Sequence, residues 1–377
     1  MSKGSKSRSF ALHAFLVLLI ASFPALLTAQ IPLPPEKSTA KPPALPLAKP
    51  TIPPFERRVG RTSLPVARDV RLFLGNRTTG RITVHGWDQD VIEARAFSER
   101  GDEVLILGQK EEEGGKRIFL KADYVNLENS ASPTEALDMP PLNNDSPIQI
   151  HLEVSVPHYA ELEVVRVIRS NVEITGVETP ITVIGHSSNV VLKDVGSVEI
   201  HTRAGSVAIE NARGIAEVTS TSGGIKMINS RGSLQAVSIA GPIEVRCFKG
   251  RIEVSNTQAP IELEGIDGDV SAIAATSSVR FRGELSDDSR YYLKSMSGTV
   301  EMMVPANTRG FNATLSCYRG VVESDFSLKP KPGAQEGGPG SRLSGRFGKG
   351  NSQITLDSFE GFVKLSKVPS SSISSCK

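Results

Sequence analysis

Two carboxylates, Glu244 and Glu262, have a spacing that could support hydrolytic chemistry. They occupy equivalent positions of a repeating stretch, and side chains stacked on neighbouring strands lie about 5 Å apart. Retaining glycosidases hold their two carboxyl groups at about that distance, so a glycoside hydrolase or a polysaccharide lyase is one hypothesis. Lys226 and Arg280 flank the pair at the same interval, which favours a solvated row of charges over a pocket. We therefore expect a chain that is not an enzyme and has no catalytic residues, with the carbohydrate-active enzyme as the alternative.

Histidine, cysteine and acidic turn residues are the side chains that could bind a metal ion. After position 29 the histidines are His85, His151, His158, His186 and His201. None has a second histidine at the i+2 or i+4 position where paired ligands usually stand. The turns between repeats carry no column of aspartates of the kind that surrounds calcium in nonapeptide β-rolls. We expect no metal and no other cofactor.

A nine-residue repeat positions these side chains. Its glycines fall on one grid, at Gly196, Gly205, Gly214, Gly223, Gly232, Gly241, Gly250 and Gly268. An apolar residue stands two positions after each grid point, and often another two positions later, as in Ile243 and Val245. This is the strand period of two, so these side chains should point inward while Glu244 and Arg246 point outward. Glycine suits the corner between strands, where φ is often positive and a side chain would collide with the next repeat.

Departures from the repeat recur in every second unit, as at Pro242 and Pro260, which indicates two nine-residue units per coil. Short repeats of this kind are typical of β-helices. The predicted fold is all-β: a single-chain β-solenoid (β-helix) with about 18 residues per coil as two strand-turn units, right-handed, with a strand-rich N-terminal portion. The inward ladder should contain Val172, Val190, Val207, Ile225, Ile243, Ile261, Val279 and Val300.

The three cysteines, Cys247, Cys317 and Cys376, are too few for a disulfide framework in a chain of 377 residues. The interval from Cys247 to Cys317 is nearly four coils, which would separate them by about 19 Å. Because a disulfide needs Cα atoms within ~7 Å of each other, we expect no bond between these two. Cys376 lies in a tail expected to be flexible, within reach of Cys317.

The start of the chain has the pattern of a secretory leader. Lys3, Lys6 and Arg8 precede an apolar run at 10–23 and a small-residue end at 27–29. A retained membrane anchor is the alternative, although the run is shorter than the ~20 residues of a spanning helix. Nine prolines between positions 31 and 54 then predict an extended spacer.

The predicted organisation is a signal peptide at 1–29, a Pro-rich spacer at 30–61, a strand-rich N-terminal part at 62–163, solenoid repeats at 164–328, a Gly/Pro-rich loop at 329–350, closing strands at 351–368 and a flexible tail at 369–377. The 43 basic and 41 acidic residues nearly balance, so no electrostatic footprint for nucleic acid is present. After the leader no apolar run is long enough to span a membrane.

Three motifs resemble the bacterial putative-adhesin family, β-strand-repeat domains of unknown function in exported and envelope proteins. They are GRITVHGWDQDVIEARA at 80–96, LEVSVPHYAELEVVRVIRSNVEITG at 152–176 and ITLDSFEGFVKL at 354–365. The resemblance covers residues 70–365 and implies a single-chain β-solenoid. It implies no activity and no defined functional residues.

From these observations we expect an exported, non-enzymatic module in the periplasm, at the cell surface or secreted. It would act as an adhesin-like, binding or structural protein of the cell envelope, with a glycan or a protein as ligand. An envelope-stress or regulatory module is a further alternative. One outward row is less compensated in charge than the row of Glu244, and it forms the candidate binding face: Glu199, Glu217, Gln235, Val237, Glu253 and Ile273.

Overall fold

A computed structural model describes residues 56–58, 60–76, 78–99, 103–112, 115–124, 149–330, 340–373 and 376. The leader predicted at 1–29 and the spacer up to residue 55 lie outside the described residues. Residues 56–58, near the end of the predicted spacer, form a short strand paired with residues 105–107. The strands therefore begin inside the range predicted as spacer, a few residues after its last proline.

The described chain is all-β, with long strands in one large sheet and a single 3-10 turn at Ser370–Ser372. The strands before the repeats are β1 (Glu56–Arg58), β2 (Arg61–Pro65), β3 (Arg71–Asn76), β4 (Arg81–Trp87), β5 (Val91–Ser98), β6 (Glu103–Glu112), β7 (Gly115–Tyr124), β8 (Ile150–Pro157) and β9 (Glu161–Ile168).

The strands of the repeats are β10 (Asn171–Thr175), β11 (Ile181–His186), β12 (Val190–Lys193), β13 (Val198–Thr202), β14 (Val207–Glu210), β15 (Arg213–Ser220), β16 (Ile225–Ser238), β17 (Ile243–Asn256), β18 (Ile261–Asp267), β19 (Val270–Ala274), β20 (Val279–Arg282) and β21 (Arg290–Pro305). The last three are β22 (Gly310–Ser324), β23 (Ser341–Gly348) and β24 (Ser352–Val368).

The strands pair mainly in parallel, in two long ladders. Ladder I runs β8, β4, β10, β12, β14, β16, β17, β18, β20, β21, β24 and β22. Its register confirms every rung of the predicted inward ladder, from Val172 beside Val190 to Val279 beside Val300. Two rungs in the middle, Ile225 beside Ile243 and Ile243 beside Ile261, show the 18-residue offset directly.

Ladder II runs β7, β3, β9, β11, β13, β15, β16, β17, β19, β21, β24 and β22. The long strands β16, β17, β21, β22 and β24 contribute one part to each ladder. The strand-rich N-terminal part does not follow the nine-residue grid, yet β3 and β4 extend both ladders. Within this part, β6 and β7 pair antiparallel with each other.

Inward side chains of both ladders are buried and belong to one apolar core. Alternation explains why: Ile243 and Val245 are fully buried, while Arg246 is exposed. The corner glycines allow the repeats to approach each other. A Cβ on Gly250, where φ is +131°, would lie 2.0 Å from the carbonyl oxygen of Gly232, so no other residue fits without a shift of the backbone.

The C-terminal part differs from the prediction in two ways. Residues 341–348, assigned to a loop because of their glycines, form β23, which pairs antiparallel with the first half of β22. The closing segment is one strand, β24, and it lies between β21 and β22. Within the described chain, no helix combines the length and apolar character needed to cross a bilayer.

Candidate functional site

The candidate binding face is the outward side of ladder II, here called face II. Parallel pairing places Glu199, Glu217, Gln235, Glu253 and Ser271 side by side on five successive strands. Their chain neighbours Ala216, Leu234 and Ile252 are buried. Because side chains alternate along a strand, the side chains of the row point outward. The structure therefore brings together the residues that the 18-residue interval selects.

The charges of face II are more compensated than the sequence predicts. The Glu199 carboxylate accepts a contact from His201 Nε2 at 2.9 Å, and Arg251 Nη1 lies 3.9 Å from Glu253. Glu217 is exposed and has no ion pair within the described chain. It also neighbours Glu199 on the adjacent strand, where like charges repel. The uncompensated charge of the face is thus concentrated at Glu217.

Apolar side chains also point outward on this side. Val237 and Ile273 are each 37% exposed, and Ser255 stands between them in the register. Ile215 and Ile239 are exposed as well, and neither is among the residues of the predicted binding face. Ile215 lies in β15 directly before the buried Ala216, so the strand alternation could have assigned it outward, and Ile239 directly follows β16.

The outward side of ladder I, here called face I, carries the carboxylate pair considered for hydrolysis. Glu244 and Glu262 do stand side by side in the register. Arg246 Nε lies 2.5 Å from Glu244 Oε1 and Arg280 Nη1 lies 3.1 Å from Glu262 Oε1. Lys226 Nζ lies 3.5 Å from the second oxygen of Glu244. These cations lie beside the oxygens that a general base or a nucleophile would use, and Glu244 Oε1 is buried with an ion pair but no hydrogen bond.

The groove along this pair has a volume of about 210 Å³, and six of its seven lining residues are charged. In the residues that the structure covers, no group of three or more His, Cys, Asp or Glu could hold a metal ion. His186 contacts Arg203, and His201 contacts Glu199. The two histidines therefore have separate partners.

The pairing of the cysteines differs from the prediction. Cys247 and Cys376 form a disulfide with Cα atoms 5.2 Å apart, whereas Cys317 is buried and free. The absence of a bond between Cys247 and Cys317 is as predicted, but the expectation that Cys376 reaches Cys317 is wrong. Cys317 is an inward side chain whose Sγ donates to the carbonyl of Gly361, so the tail cannot approach it from outside.

A signal for the true pairing was present in the sequence. Cys247 has φ of +53° and occupies the corner where the two preceding coils have Asn211 and Asn229, also with positive φ. Asparagine and glycine favour that conformation, and cysteine does not. A cysteine at a surface corner, in place of asparagine, indicates a partner outside the repeat.

No protein-family model matches the chain, and no curated protein matches it. Among solved structures, the chain is similar to a putative cell adhesion protein from Clostridium sporogenes. The sequences are 8% identical, the match covers 83% of this chain and 100% of that chain, and the TM-score is 0.19. A similarity at this level carries no inference about fold or function.

Proposed function

We propose that this chain is an exported, non-enzymatic β-solenoid that binds a cell-envelope or surface ligand in an adhesin-like or structural role. The observation that carries the proposal is the row on face II, where one outward position repeats on five successive strands, from Glu199 to Ser271. A ligand meeting such a row would be contacted at intervals of about 4.8 Å. An extended glycan or an extended protein surface fits that geometry better than a small molecule does.

The solenoid interpretation is supported by the strands shared between the ladders. Residues 225–228 of β16 pair in ladder I, and residues 231–238 of the same strand pair in ladder II. The chain passes from one ladder to the other and then returns, so that Ile243 lies beside Ile225, which describes a coil of two strand-turn units. Parallel crossovers are right-handed in nearly all proteins, and we extend that hand to this chain.

The non-enzymatic assignment is supported by face I. Each carboxylate of the candidate pair already forms an ion pair with a guanidinium group, and the groove beside the pair is lined almost entirely by charged side chains. In such a row each charged side chain lies next to one of opposite charge, as expected for a surface in contact with water.

The export assignment is supported by two independent features. The segment at 1–29 has the pattern of a secretory leader. The disulfide between Cys247 and Cys376 belongs to an oxidising compartment, because cytosolic reductants keep most thiols reduced. Fractionation of the producing cells tests this: a protein found only in the cytosol, with its leader attached, would contradict export.

The binding role is tested with two matched multiple variants. In the face II variant, Gln235, Val237, Glu253 and Ile273 are changed to Lys or Ser. In the face I control, Glu244 and Glu262 are likewise changed to Lys or Ser, and Lys226 and Arg280 are changed to Ser. Binding of each full chain to intact cells of the producing organism and to a glycan array is measured, with circular dichroism as the check of folding.

We expect the face II variant to lose cell or glycan binding by at least about tenfold while it remains folded, and the control to bind as the wild type does. Equal loss in both variants would contradict a specific face. Turnover of a glycan that is abolished by Glu244→Gln or Glu262→Gln alone would establish the enzyme instead. A wild type that binds neither cells nor glycans, but whose deletion alters the envelope-stress response, would favour the regulatory alternative.

A further inference from the structure

One edge of the repeat region carries three positive charges on successive strands. Parallel pairing places Arg213 of β15 beside Arg231 of β16, and Arg231 beside Lys249 of β17. All three side chains are exposed, whereas the residue that precedes each of them in the chain is buried. This row, here called the basic edge, therefore presents three cations to the solvent on strands about 4.8 Å apart.

Other cations of the repeats are compensated within the chain. Three of them lie close to a carboxylate of a neighbouring repeat, at 3.8 Å for Lys193–Glu210, 3.1 Å for Arg280–Glu262 and 3.6 Å for Arg290–Asp269. In the basic edge, Lys249 Nζ lies 3.4 Å from Asp267. Within the described chain, however, neither Arg213 nor Arg231 forms an ion pair. The uncompensated positive charge is therefore concentrated on these two arginines.

The row is unfavourable for the chain on its own. Like charges on neighbouring strands repel each other, and the separation of the strands is shorter than the Debye length of ~8 Å at physiological ionic strength, so salt screens the repulsion only in part. An anion held against the side chains removes it. The basic edge thus favours a ligand that brings several negative charges at the spacing of the strands.

A line of bare backbone runs beside the cations. The residues that follow them in the chain are glycines that pair with one another in the register: Gly214, Gly232 and Gly250. On the far side of this line, Ile215, Ser233 and Arg251 again stand on successive strands, and Ile215 is 57% exposed. The basic edge, the glycine line and this second row form a track that crosses the three strands.

The chemistry of the track fits an acidic polysaccharide. A guanidinium group presents paired N–H donors that match the two oxygens of a carboxylate. Ile215 offers an apolar contact to the C–H face of a sugar ring, and the Ser233 hydroxyl can donate to or accept from a sugar hydroxyl. Single-stranded nucleic acids bind where cations are combined with aromatic side chains, and no residue of the track is aromatic.

We propose that the basic edge and the glycine line beside it bind a polysaccharide that carries carboxylates on successive sugar units. The polymer lies across β15, β16 and β17, with its carboxylates at Arg213, Arg231 and Lys249. Release of counterions favours the complex at low ionic strength. The track is separate from face II, and the proposal does not depend on the function proposed for that face.

The test measures binding of the full chain to fluorescently labelled polygalacturonate, a linear polymer with one carboxylate per sugar, over a series of salt concentrations. The basic-edge variant is Arg213→Ser/Arg231→Ser/Lys249→Ser. We expect the wild type to bind and this variant to bind at least about tenfold more weakly at low ionic strength. The dependence of the affinity on salt should also become less steep, because fewer charges of the polymer are neutralised.

The matched control is Lys193→Ser/Arg280→Ser/Arg290→Ser, which removes the same charge at positions that already have carboxylate partners. It should bind as the wild type does, and so should the face II variant, which separates a failure of this proposal from a failure of the proposed function. Neutral dextran should not compete. A wild type that does not bind, an unchanged affinity of the basic-edge variant or an equal loss in the control would overturn the proposal. Tighter binding of single-stranded DNA, lost in the basic-edge variant, would assign the track to a nucleic acid instead.

Unfolding in urea separates a loss of binding from a loss of folding. Arg231 lies between two like charges, so Arg231→Ser removes repulsion and should leave the free energy of unfolding unchanged or raise it at low ionic strength. The basic-edge variant should likewise remain folded. A marked destabilisation by Arg231→Ser would mean that this arginine has a structural partner, and the assignment of the row to an external anion would then be wrong.

Discussion

Replacement of Ile243 by alanine tests the inward ladder at its centre. Ile243 is fully buried, and its neighbours in the register, Ile225 and Ile261, are buried too. The change removes three carbon atoms, which at about 0.8 kcal/mol each corresponds to ~2.4 kcal/mol of lost transfer free energy. The hydrogen-bonded strands on both sides keep the neighbouring side chains in place, so the cavity closes poorly and adds a further term. We expect a total loss of about 3–4 kcal/mol in the free energy of unfolding.

The matched control is Glu253→Ala, at an outward position of β17, the same strand. The Glu253 side chain is 57% exposed, and Arg251, its basic neighbour, is 3.9 Å away. Exposed contacts of this kind contribute little, so we expect a change of less than about 0.5 kcal/mol. Both variants are unfolded with urea, and the midpoints are compared at an unchanged slope with two spectroscopic probes. If Glu253→Ala were as damaging as Ile243→Ala, the assignment of inward and outward positions would be wrong.

Two further predictions concern the pairing of the cysteines and the stability of the fold at alkaline pH. Peptide mapping without reduction should recover Cys247 linked to Cys376, with Cys317 alkylated only after unfolding; a link from Cys376 to Cys317 would contradict the structure. Burial raises the pKa of Tyr291 above its ordinary 10.0, so folding favours the protonated phenol, and the associated stability is present below pH 10 and lost as the pH rises beyond it. Tyr291→Phe should therefore lose less stability than the wild type between neutral pH and the region above pH 10, measured by urea unfolding; equal losses would mean that this phenol does not titrate differently in the folded chain.

The repeat region could be predicted rung by rung because its information is local. Each coil carries its own glycine corner and its own pair of apolar positions, so the interval between Ile225 and Ile243 already specifies which residues become neighbours. Face II follows from the same interval. The interval does not specify how far a side chain reaches. The contacts of Glu199 with His201 and of Arg251 with Glu253 therefore do not follow from it, and they reduce the charge imbalance expected from the row of acidic residues alone.

The C-terminal part was less predictable because its structure depends on distant pairing. Residues 341–348 are rich in glycine and have weak strand propensity of their own, and they form β23 because β22 offers a free edge along Gly310–Cys317. The disulfide was missed for a related reason. The sequence alone predicts a flexible tail with Cys376 within reach of Cys317, whereas Cys247, at a corner of positive φ, is the residue that holds the tail.

The order of the strands is the feature that the sequence pattern predicts least, as both ends of the ladders show. At the N-terminal end β4 lies between β8 and β10, and at the C-terminal end β24 lies between β21 and β22. The rungs in the middle join equivalent positions of successive coils, such as Ile225 and Ile243, whereas the pairing of Ser297 with Glu360 spans a much longer stretch of chain. Closing the longer loops costs more entropy, so we expect the middle rungs to form first and β24 to enter last.

The disulfide bears directly on that last step. Cys376 lies a short way beyond the end of β24 at Val368, and Cys247 belongs to β17, in the middle of the ladders. Once the bond exists, the segment that must enter between β21 and β22 is held close to its place, which reduces the chain entropy lost on insertion. Because β21 and β22 both pair with β24 along most of their length, holding this strand in place keeps two further strands from exposing their edges. The bond between Cys247 and Cys376 thus stabilises the C-terminal end of the ladders, where β24 lies between β21 and β22.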